Sequence, residues 1–325
     1  MALPSTTFTE MVTTTLRYVD NELTDNVSNN NAFLRKLKER GNIKTVSGGY
    51  EAQYPISYAE NSTYSRISGY DTFNINSSNV LTSAKYDWAT VVISVTASGD
   101  EIRRNSGKEQ MINLVKARKQ NAMDTAANGF SVDLYSDGSL QNQVVGLAGI
   151  IQTNGQGTVG GINSTTQTWW RNKFREITGT NAYTKDTIQT DMNALWMDIY
   201  RGNDRTDLIV SSHDFYSVFE AGLTQYARYT NDQLKNSTVN SGILGRAWKG
   251  AEVIFDSNTN FATTAEKMYF LDTKDLFLVQ HRDAKWTPME ERNPINQDAV
   301  VIPILWQGFL ACRRRAGQGV LIDAT

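Results

Sequence analysis

Residues 157–174 read GTVGGINSTTQTWWRNKF, in which two adjacent tryptophans follow a stretch rich in Gly, Asn, Ser and Thr. Tryptophan buries a large apolar body and needs a partner for its indole N–H, and a solvated loop offers neither. We therefore expect Trp169 and Trp170 to anchor this glycine-rich loop to the core of a domain, with the loop ahead of them facing another subunit. Simple burial of both rings inside one subunit is an equally good alternative at this point.

The composition describes a globular chain with a polar, weakly charged surface. The 325 residues carry a formal charge of −2, and 40% of them are hydrophobic, which is enough for a sizeable core. The sequence has no excess of basic residues that would indicate a nucleic-acid-binding protein. The single cysteine, Cys312, argues against a disulfide framework or a cysteine-rich metal site. The start shows no signal-peptide pattern, and no apolar run approaches the roughly 18 residues that span a bilayer, so we expect no membrane contact.

The N-terminal region predicts a helical arm. Apolar residues recur at helical spacing over residues 8–27, and a second helix is predicted in NNNAFLRKLKERG, residues 29–41. Phe33 and Leu37 share one face of this second helix, and Gly41 is placed to end it. Both apolar faces are narrow, so these helices need another surface on which to pack.

A period of two replaces the helical period at residue 50 and predicts a hairpin arm. The stretch YEAQYPISY (50–58) alternates apolar and polar residues, and AKYDWATVVISVT (84–96) is a candidate return strand. An isolated two-stranded hairpin is marginal in water, so we expect a partner to cover its aromatic side chains. The candidate inter-subunit contacts in this arm are Tyr54, Tyr58, Tyr64, Tyr70 and Phe73.

The rest of the chain predicts helices and strands without a regular alternation, and the fold class is therefore α+β. A long helix is expected over residues 100–128, where Ala122 and Ala126 belong to one apolar stripe, and GLAGIIQTN (146–154) is a candidate strand. The remaining expected elements are a helix at 184–202, a buried strand at 207–212, a helix at 213–222, three strands within 251–280 and an extended segment at 300–324.

Residues that suggest catalysis are few. GQGTVG, which contains Gly155, Gly157 and Gly160, matches the dinucleotide-binding pattern, but a poor helix start follows it, so we favour a flexible loop. His213 is placed at a helix start rather than beside a nucleophile. Carboxylate pairs such as Asp272 and Asp275 are expected on a solvated face. The sequence thus predicts no enzyme, no cofactor and no metal site.

The densest basic run is Arg313, Arg314 and Arg315. On an extended segment alternate side chains face opposite ways. Arg313 and Arg315 are therefore candidates to meet phosphate, while Arg314 makes an ion pair within the protein. A salt-bridged strand end without any phosphate contact is the simpler alternative.

The order of these elements resembles the major capsid protein of tailed bacteriophages, which has the Hong Kong 97-type fold. The segment GTVGGINSTTQTWWRNKF, together with DLIVSSHDFYSVFEAG (207–222) and AEVIFD (251–256), is similar to one branch of that family. The resemblance covers nearly the whole chain. It implies an N-terminal arm at 1–48, an extended hairpin arm (E-loop) at 49–97, a peripheral domain with a spine helix at 98–139, a mainly axial domain at 140–250, and axial-to-peripheral return strands at 251–325.

The same resemblance implies a function. The chain would be a major head protein that self-assembles, as pentamers and hexamers, into the icosahedral shell around the double-stranded DNA genome. It would assemble in the host bacterial cytoplasm and reside in the virion, holding DNA by weak non-specific contact, with scaffold, portal and decoration proteins as further partners. A tail-tube or decoration subunit is the first alternative. A nucleotide-binding enzyme that uses Gly155, Gly157 and Gly160 is a much weaker one.

Overall fold

The computed structural model describes residues 32–104, 114–177, 184, 186–227, 246–256, 266–290 and 292–323. Its helices are α1 (Ala32–Glu39), α2 (Gly99–Arg104), α3 (Leu114–Tyr135), α4 (Leu147–Ile150), α5 (Ile188–Ile199) and α6 (His213–Ala227). The first strands are β1 (Ile43–Val46), β2 (Ala52–Ser57), β3 (Leu81–Tyr86), β4 (Ala89–Ser98), β5 (Thr158–Val159), β6 (Ile162–Asn163) and β7 (Lys173–Ile177). The later ones are β8 (Leu208–Ser211), β9 (Arg246–Trp248), β10 (Ala251–Phe255), β11 (Glu266–Leu271), β12 (Leu276–Pro288), β13 (Ala299–Cys312) and β14 (Gly319–Asp323).

A four-stranded sheet of order β1-β12-β13-β4 carries the long helix α3. The side chains of Ala122, Ala126, Phe130 and Leu134 recur every four residues along α3, and all four are buried. Ala122 and Ala126 are small and let the helix approach the sheet closely. The ring centroid of Phe130 lies 4.4 Å from that of Trp306 on β13. The Arg118 guanidinium donates to both carboxylate oxygens of Glu101, which ties α3 to α2.

A mixed six-stranded sheet forms the second layer, in the order β7-β14-β11-β8-β10-β9. Its middle strand β8 is buried along its whole length, as the apolar run LIVS predicts. Helix α5 packs on this sheet through the predicted face of Ile188, Met192, Leu195 and Ile199. The approach is close because Gly319 on β14 has no side chain: a Cβ there would lie 2.5 Å from Ile199 Cδ1.

The N-terminal helix α1 is held to the six-stranded sheet by charge and by burial. Phe33 and Leu37 are fully buried, as predicted. Lys36 Nζ lies 2.7 Å from Glu252 of β10, and the Arg40 guanidinium donates to the Asp207 carboxylate at 2.5 Å. The helix predicted for residues 8–27 lies outside the described residues.

Several expected elements differ from the structure in extent or type. The return strand 84–96 is divided at Asp87–Trp88, because β3 pairs with β2 whereas β4 pairs with the longer, more apolar β13. Helix α3 continues past residue 128 to Tyr135, since its buried stripe continues beyond Ala126 at Phe130 and Leu134. The candidate strand 146–154 contains the short helix α4, which follows a turn where Gly146 lies against the backbone of Asp133 and Leu134.

Candidate assembly surface

The arm tip, residues 58–80, presents large apolar side chains to solvent. It joins β2 to β3 and forms no regular helix or strand. Tyr70 is fully exposed, at 106% of its reference area. Apolar exposure on this scale within one segment marks an interaction surface. The exposed large apolar residues of the tip are Tyr64, Ile67, Tyr70, Phe73 and Ile75.

The arm base is packed within this chain, unlike the tip. Tyr54 lies edge-on to Phe277, with ring centroids 5.2 Å apart, and also contacts Tyr86. The Tyr86 hydroxyl donates to the carbonyl of Cys312 at 2.7 Å, so β3 is tied to the end of β13. The residue at position 54 therefore contributes to the core of its own subunit. Sequence reasoning missed Tyr86, whose only signal was its place in the alternation of β3.

The two adjacent tryptophans, Trp169 and Trp170, have different packing roles. Trp170 is 1% exposed and lies in the main core cluster, where its indole N–H donates to the Val159 carbonyl at 3.0 Å. Trp169 is half-buried and stacks on Tyr58 of the arm, with ring centroids 5.4 Å apart. The anchoring predicted for the glycine-rich loop is thus visible at Trp170, whereas Trp169 links the loop to the arm. Whether the loop faces a neighbouring subunit stays a prediction.

Arg315 is fully buried at the centre of the glycine-rich loop, so the expectation that it faces DNA was wrong. Its guanidinium donates to the carbonyls of Ile150 and Gln156 at 2.6 and 2.7 Å and to the Ser164 hydroxyl at 2.8 Å. Burial lowers the pKa of Arg315 to about 10. The alternation of an extended strand fails here because a 3-10 turn, Arg315–Gly317, interrupts the segment.

The other two arginines of the run lie nearer to solvent. Arg314 forms the predicted internal ion pair, with its guanidinium 2.5 Å from the Asp204 carboxylate. Arg313 is exposed and lies over the rings of Tyr54 and Phe277. Of the two candidate DNA contacts, only Arg313 is accessible in this chain.

The GQGTVG segment lacks the geometry of a phosphate-binding loop. Such a loop presents backbone N–H groups at a helix N-terminus. Here the Gln156 and Gly157 carbonyls accept hydrogen bonds from Arg315 and Ser164, and the hairpin of β5 and β6 follows. Gly155, Gly157 and Gly160 all adopt positive φ, as tight turns require. The favoured interpretation as a glycine-rich loop agrees with this geometry.

An acidic cluster lies where the β11–β12 turn meets Arg314. Asp272 is only 4% exposed, so the expectation of a solvated face was wrong for this residue. Burial, together with nearby Asp275, Asp207 and Asp204, raises the pKa of Asp272 to about 6. Hydrogen bonding to Lys274 and the charge of Arg314 lower the pKa of Asp204.

Replacing Asp272 with asparagine is expected to stabilise the subunit at pH 7 by about 2 kcal/mol. A carboxyl with a raised folded-state pKa binds protons more tightly in the folded state. The contribution of Asp272 to the free energy of unfolding therefore falls as pH rises from about 4 to about 6, and the amide retains the contact to the Lys274 N–H without this loss. Urea unfolding at several pH values between 4 and 8 measures the difference.

Asp204→Asn is the matched control, with the opposite sign. The pKa of Asp204 is lowered in the folded state, which means that its ionised form stabilises the fold. The Asp204→Asn variant is therefore expected to be less stable than wild type at pH 7. That deficit shrinks as the pH falls below about 4. If the stability of the Asp272→Asn variant relative to wild type does not rise between pH 4 and pH 7, the burial argument is contradicted.

Within the described ranges, no group of three or more His, Cys, Asp or Glu is arranged to hold a metal ion. Among those same residues, no helix combines the length and the apolar character that a membrane span requires.

Comparison with known proteins identifies the architecture. No protein-family profile matches the sequence, and no curated protein matches it significantly. Among solved structures, the capsid subunit of cyanophage A-1(L) is similar with a TM-score of 0.66 at 14% identity, over 93% of this chain and 95% of that one. The capsid of Myoviridae phage XM1 is similar with a TM-score of 0.61 at 12% identity, over 95% and 97%.

A third similar structure is an encapsulin, from the holo-SrpI complex of Synechococcus elongatus, with a TM-score of 0.59 at 10% identity over 99% of this chain and 95% of that one. Likeness at such low identity, over nearly the full length of both chains, establishes the fold. The chain has the Hong Kong 97-type fold of capsid proteins, and the predicted α+β class is confirmed.

Proposed function

We propose that this protein is the major capsid protein of a tailed bacteriophage, which assembles into the icosahedral shell around the double-stranded DNA genome. The observation that carries the proposal is full-length likeness to capsid subunits. The exposed apolar arm tip supports it, because a monomer gains nothing from presenting Tyr64, Tyr70 and Phe73 to water. The protein acts structurally and not as an enzyme, and its location is the virion after assembly in the host cytoplasm.

The domain division follows from the same proposal. We assign residues 1–48 to an N-terminal arm, 49–97 to the E-loop, 98–139 to a peripheral domain with the spine helix, 140–250 mainly to an axial domain, and 251–325 to return strands. The last assignment spans both layers, because β10, β11 and β14 lie in the six-stranded sheet whereas β12 and β13 lie in the four-stranded sheet.

Partners follow from shell geometry. Subunits make heterologous contacts that close around five- and six-fold axes as pentamers and hexamers. Arms that lie over neighbours bury more than the roughly 1,600 Å² of a standard interface. Scaffold, portal and decoration proteins are further proposed partners. Packaged DNA is held weakly, with exposed Arg313 as a candidate contact, because many phosphate contacts would hinder its release.

Electron microscopy of the chain expressed alone, together with its mass from light scattering, tests this function. Closed shells or rings of five or six subunits are the expected result. Open tubes would indicate a tail protein. A monomer at every concentration would mean either that a scaffold protein is required or that the proposal is wrong. An encapsulin-type shell is a second candidate because of the likeness to the encapsulin. Double-stranded DNA inside particles purified from phage lysates distinguishes the viral capsid.

The arm tip is expected to matter for assembly and not for folding. The triple variant Tyr64→Ser, Tyr70→Ser, Phe73→Ser removes three exposed rings, so its melting temperature is expected to stay within about 2 °C of wild type. Shells are expected to be lost at concentrations where the wild type assembles. Calorimetry and negative-stain microscopy provide the two readouts. Normal shells from the triple variant would show that the tip does not contribute to assembly.

A further inference from the structure

The sequence contains two Asn-Gly pairs, Asn128–Gly129 and Asn154–Gly155. An asparagine loses its side-chain amide most readily when glycine follows it, because glycine has no Cβ to shield its backbone nitrogen. The structure places the two pairs in different environments. Asn128 lies inside helix α3, whereas Asn154 is exposed in the turn between α4 and β5.

The Asn154 side chain is folded back over the Gly155 peptide group. Its Oδ1 accepts the Gln156 N–H at 2.9 Å, so this hydrogen bond closes a ring that contains the Gly155 backbone. The same contact draws electron density from the carboxamide and makes its carbon a better target for a nucleophile. The carboxamide carbon is therefore held in the same turn as the Gly155 nitrogen.

Position 155 requires glycine. Its φ of +68° lies in the left-handed region, and a Cβ there would lie 2.8 Å from the Asn172 carbonyl oxygen. The Gly155 N–H donates to the Gln152 carbonyl at 3.1 Å, which closes one turn. The fold thus keeps an unshielded nitrogen next to Asn154, and this turn hydrogen bond has to open before that nitrogen attacks.

Helix α3 protects the other pair. An α-helix fixes the backbone dihedrals and engages its N–H groups in the hydrogen-bond ladder, so the Gly129 nitrogen reaches the Asn128 carboxamide only after local unwinding. Ala126 and Phe130 are buried and oppose that unwinding. The residues on either side of Gly155 are exposed, so the turn rearranges at a much smaller cost.

We propose that Asn154 modifies itself, giving aspartate and isoaspartate through a cyclic imide formed with Gly155. The Gly155 nitrogen attacks the Asn154 carboxamide carbon, forms the new C–N bond and loses its proton as ammonia leaves. Water then opens the ring. Cleavage of the new bond gives aspartate, and cleavage of the original peptide bond gives isoaspartate, whose backbone is longer by a methylene. The reaction needs only water and does not depend on the proposed shell function.

The product changes the chain beside the anchor of the glycine-rich loop. The carbonyl of the next-but-one residue, Gln156, accepts a hydrogen bond from the buried Arg315 guanidinium at 2.7 Å. A longer backbone at position 154 displaces that carbonyl and weakens the anchor. Aged protein is therefore expected to unfold at a lower denaturant concentration than fresh protein.

Peptide mapping by mass spectrometry tests the proposal on the folded, full-length chain. Incubation in mildly alkaline water labelled with heavy oxygen marks each asparagine that is hydrolysed, and chymotrypsin separates the two sites by cutting after Phe130 and Tyr135. Label is expected at Asn154 about tenfold or more faster than at Asn128, which corresponds to a barrier lower by at least about 1.4 kcal/mol. In urea the two sites are expected to react at similar rates.

Asn154→Gln is the matched control, because glutamine keeps the amide but closes a larger ring far more slowly. This variant is expected to keep its stability on ageing and to leave label uptake at Asn128 unchanged. Equal rates at the two sites in the folded protein, or no label at Asn154, would overturn the proposal. The same ratio in urea would also overturn it, because the fold would not be what selects Asn154. All these outcomes leave the shell function standing.

Discussion

Replacing Arg315 with methionine is expected to destabilise the subunit by about 3–5 kcal/mol, the largest effect among the arginines of the basic run. The guanidinium is fully buried and donates to two backbone carbonyls and the Ser164 hydroxyl. Methionine fills a similar volume but donates no hydrogen bond, so the Ile150 carbonyl would remain buried and unpaired, and the Gln156 carbonyl and the Ser164 hydroxyl would each lose a donor.

The opposing contribution is smaller. Removing a buried charge relieves its desolvation, which is the cause of the lowered pKa of Arg315. An apolar replacement of a buried ion is neutral only when its partners are replaced too. Here two partners are backbone carbonyls, of Ile150 and Gln156, which no substitution removes. The hydrogen bonds that are lost therefore outweigh the desolvation energy that is regained, and the variant is less stable.

Denaturant unfolding followed by tryptophan fluorescence measures the effect, with Arg313→Met as the matched control. Arg313 is exposed and only lies over aromatic rings, so its replacement is expected to change stability by less than about 1 kcal/mol. Arg315→Lys keeps the charge but not the planar fork, so an intermediate loss is expected. Equal stability of the two methionine variants would refute the anchoring role of Arg315.

The second large effect is expected at Trp170. Its replacement by alanine empties a buried site in the main core and removes the donor to Val159, which together are expected to destabilise the subunit by about 3–5 kcal/mol. A loss of that size leaves little of the stability of a typical domain. We therefore expect insoluble or non-cooperatively unfolding protein.

Trp169→Ala is the informative comparison. Trp169 is half-buried and stacks on Tyr58, so its loss is expected to reduce stability by only about 1 kcal/mol while releasing the arm from the loop. Folded subunits that assemble poorly are the expected outcome, and Trp169→Phe should recover assembly. Thermal melts and microscopy measure the two effects. Similar destabilisation by both alanine variants would show that the pair has a single, purely internal role.

Much of the fold was predictable because periodicity is a local property. The half-buried alternation of Ala52, Tyr54 and Ile56 on β2 was read correctly, and so was the buried face of α5. Errors arose where a local signal competed with a distant partner. The helix predicted to end at residue 128 continues, because Phe130 and Leu134 extend the buried stripe against the sheet.

The candidate site was less predictable than the fold. Exposure of Tyr64, Tyr70 and Phe73 followed from the polar sequence around them, whereas the packing of Tyr54 on Phe277 did not. Tyr86 was also missed, although its hydroxyl donates to the Cys312 carbonyl. That contact joins β3 to the end of β13, and no local pattern specifies it.

The sequence by itself determined the helices and strands, the apolar arm and the placement of Trp170 in a core, because side-chain period and burial preference act over a few residues. Only the tertiary structure decided the partners of those strands and the fate of Arg315. Its hydrogen bond to Ile150 joins residues 165 positions apart. Such contacts depend on chain topology and not on neighbouring residues, which is why Arg315 is buried, although the sequence left only a phosphate contact or a salt-bridged strand end open for it.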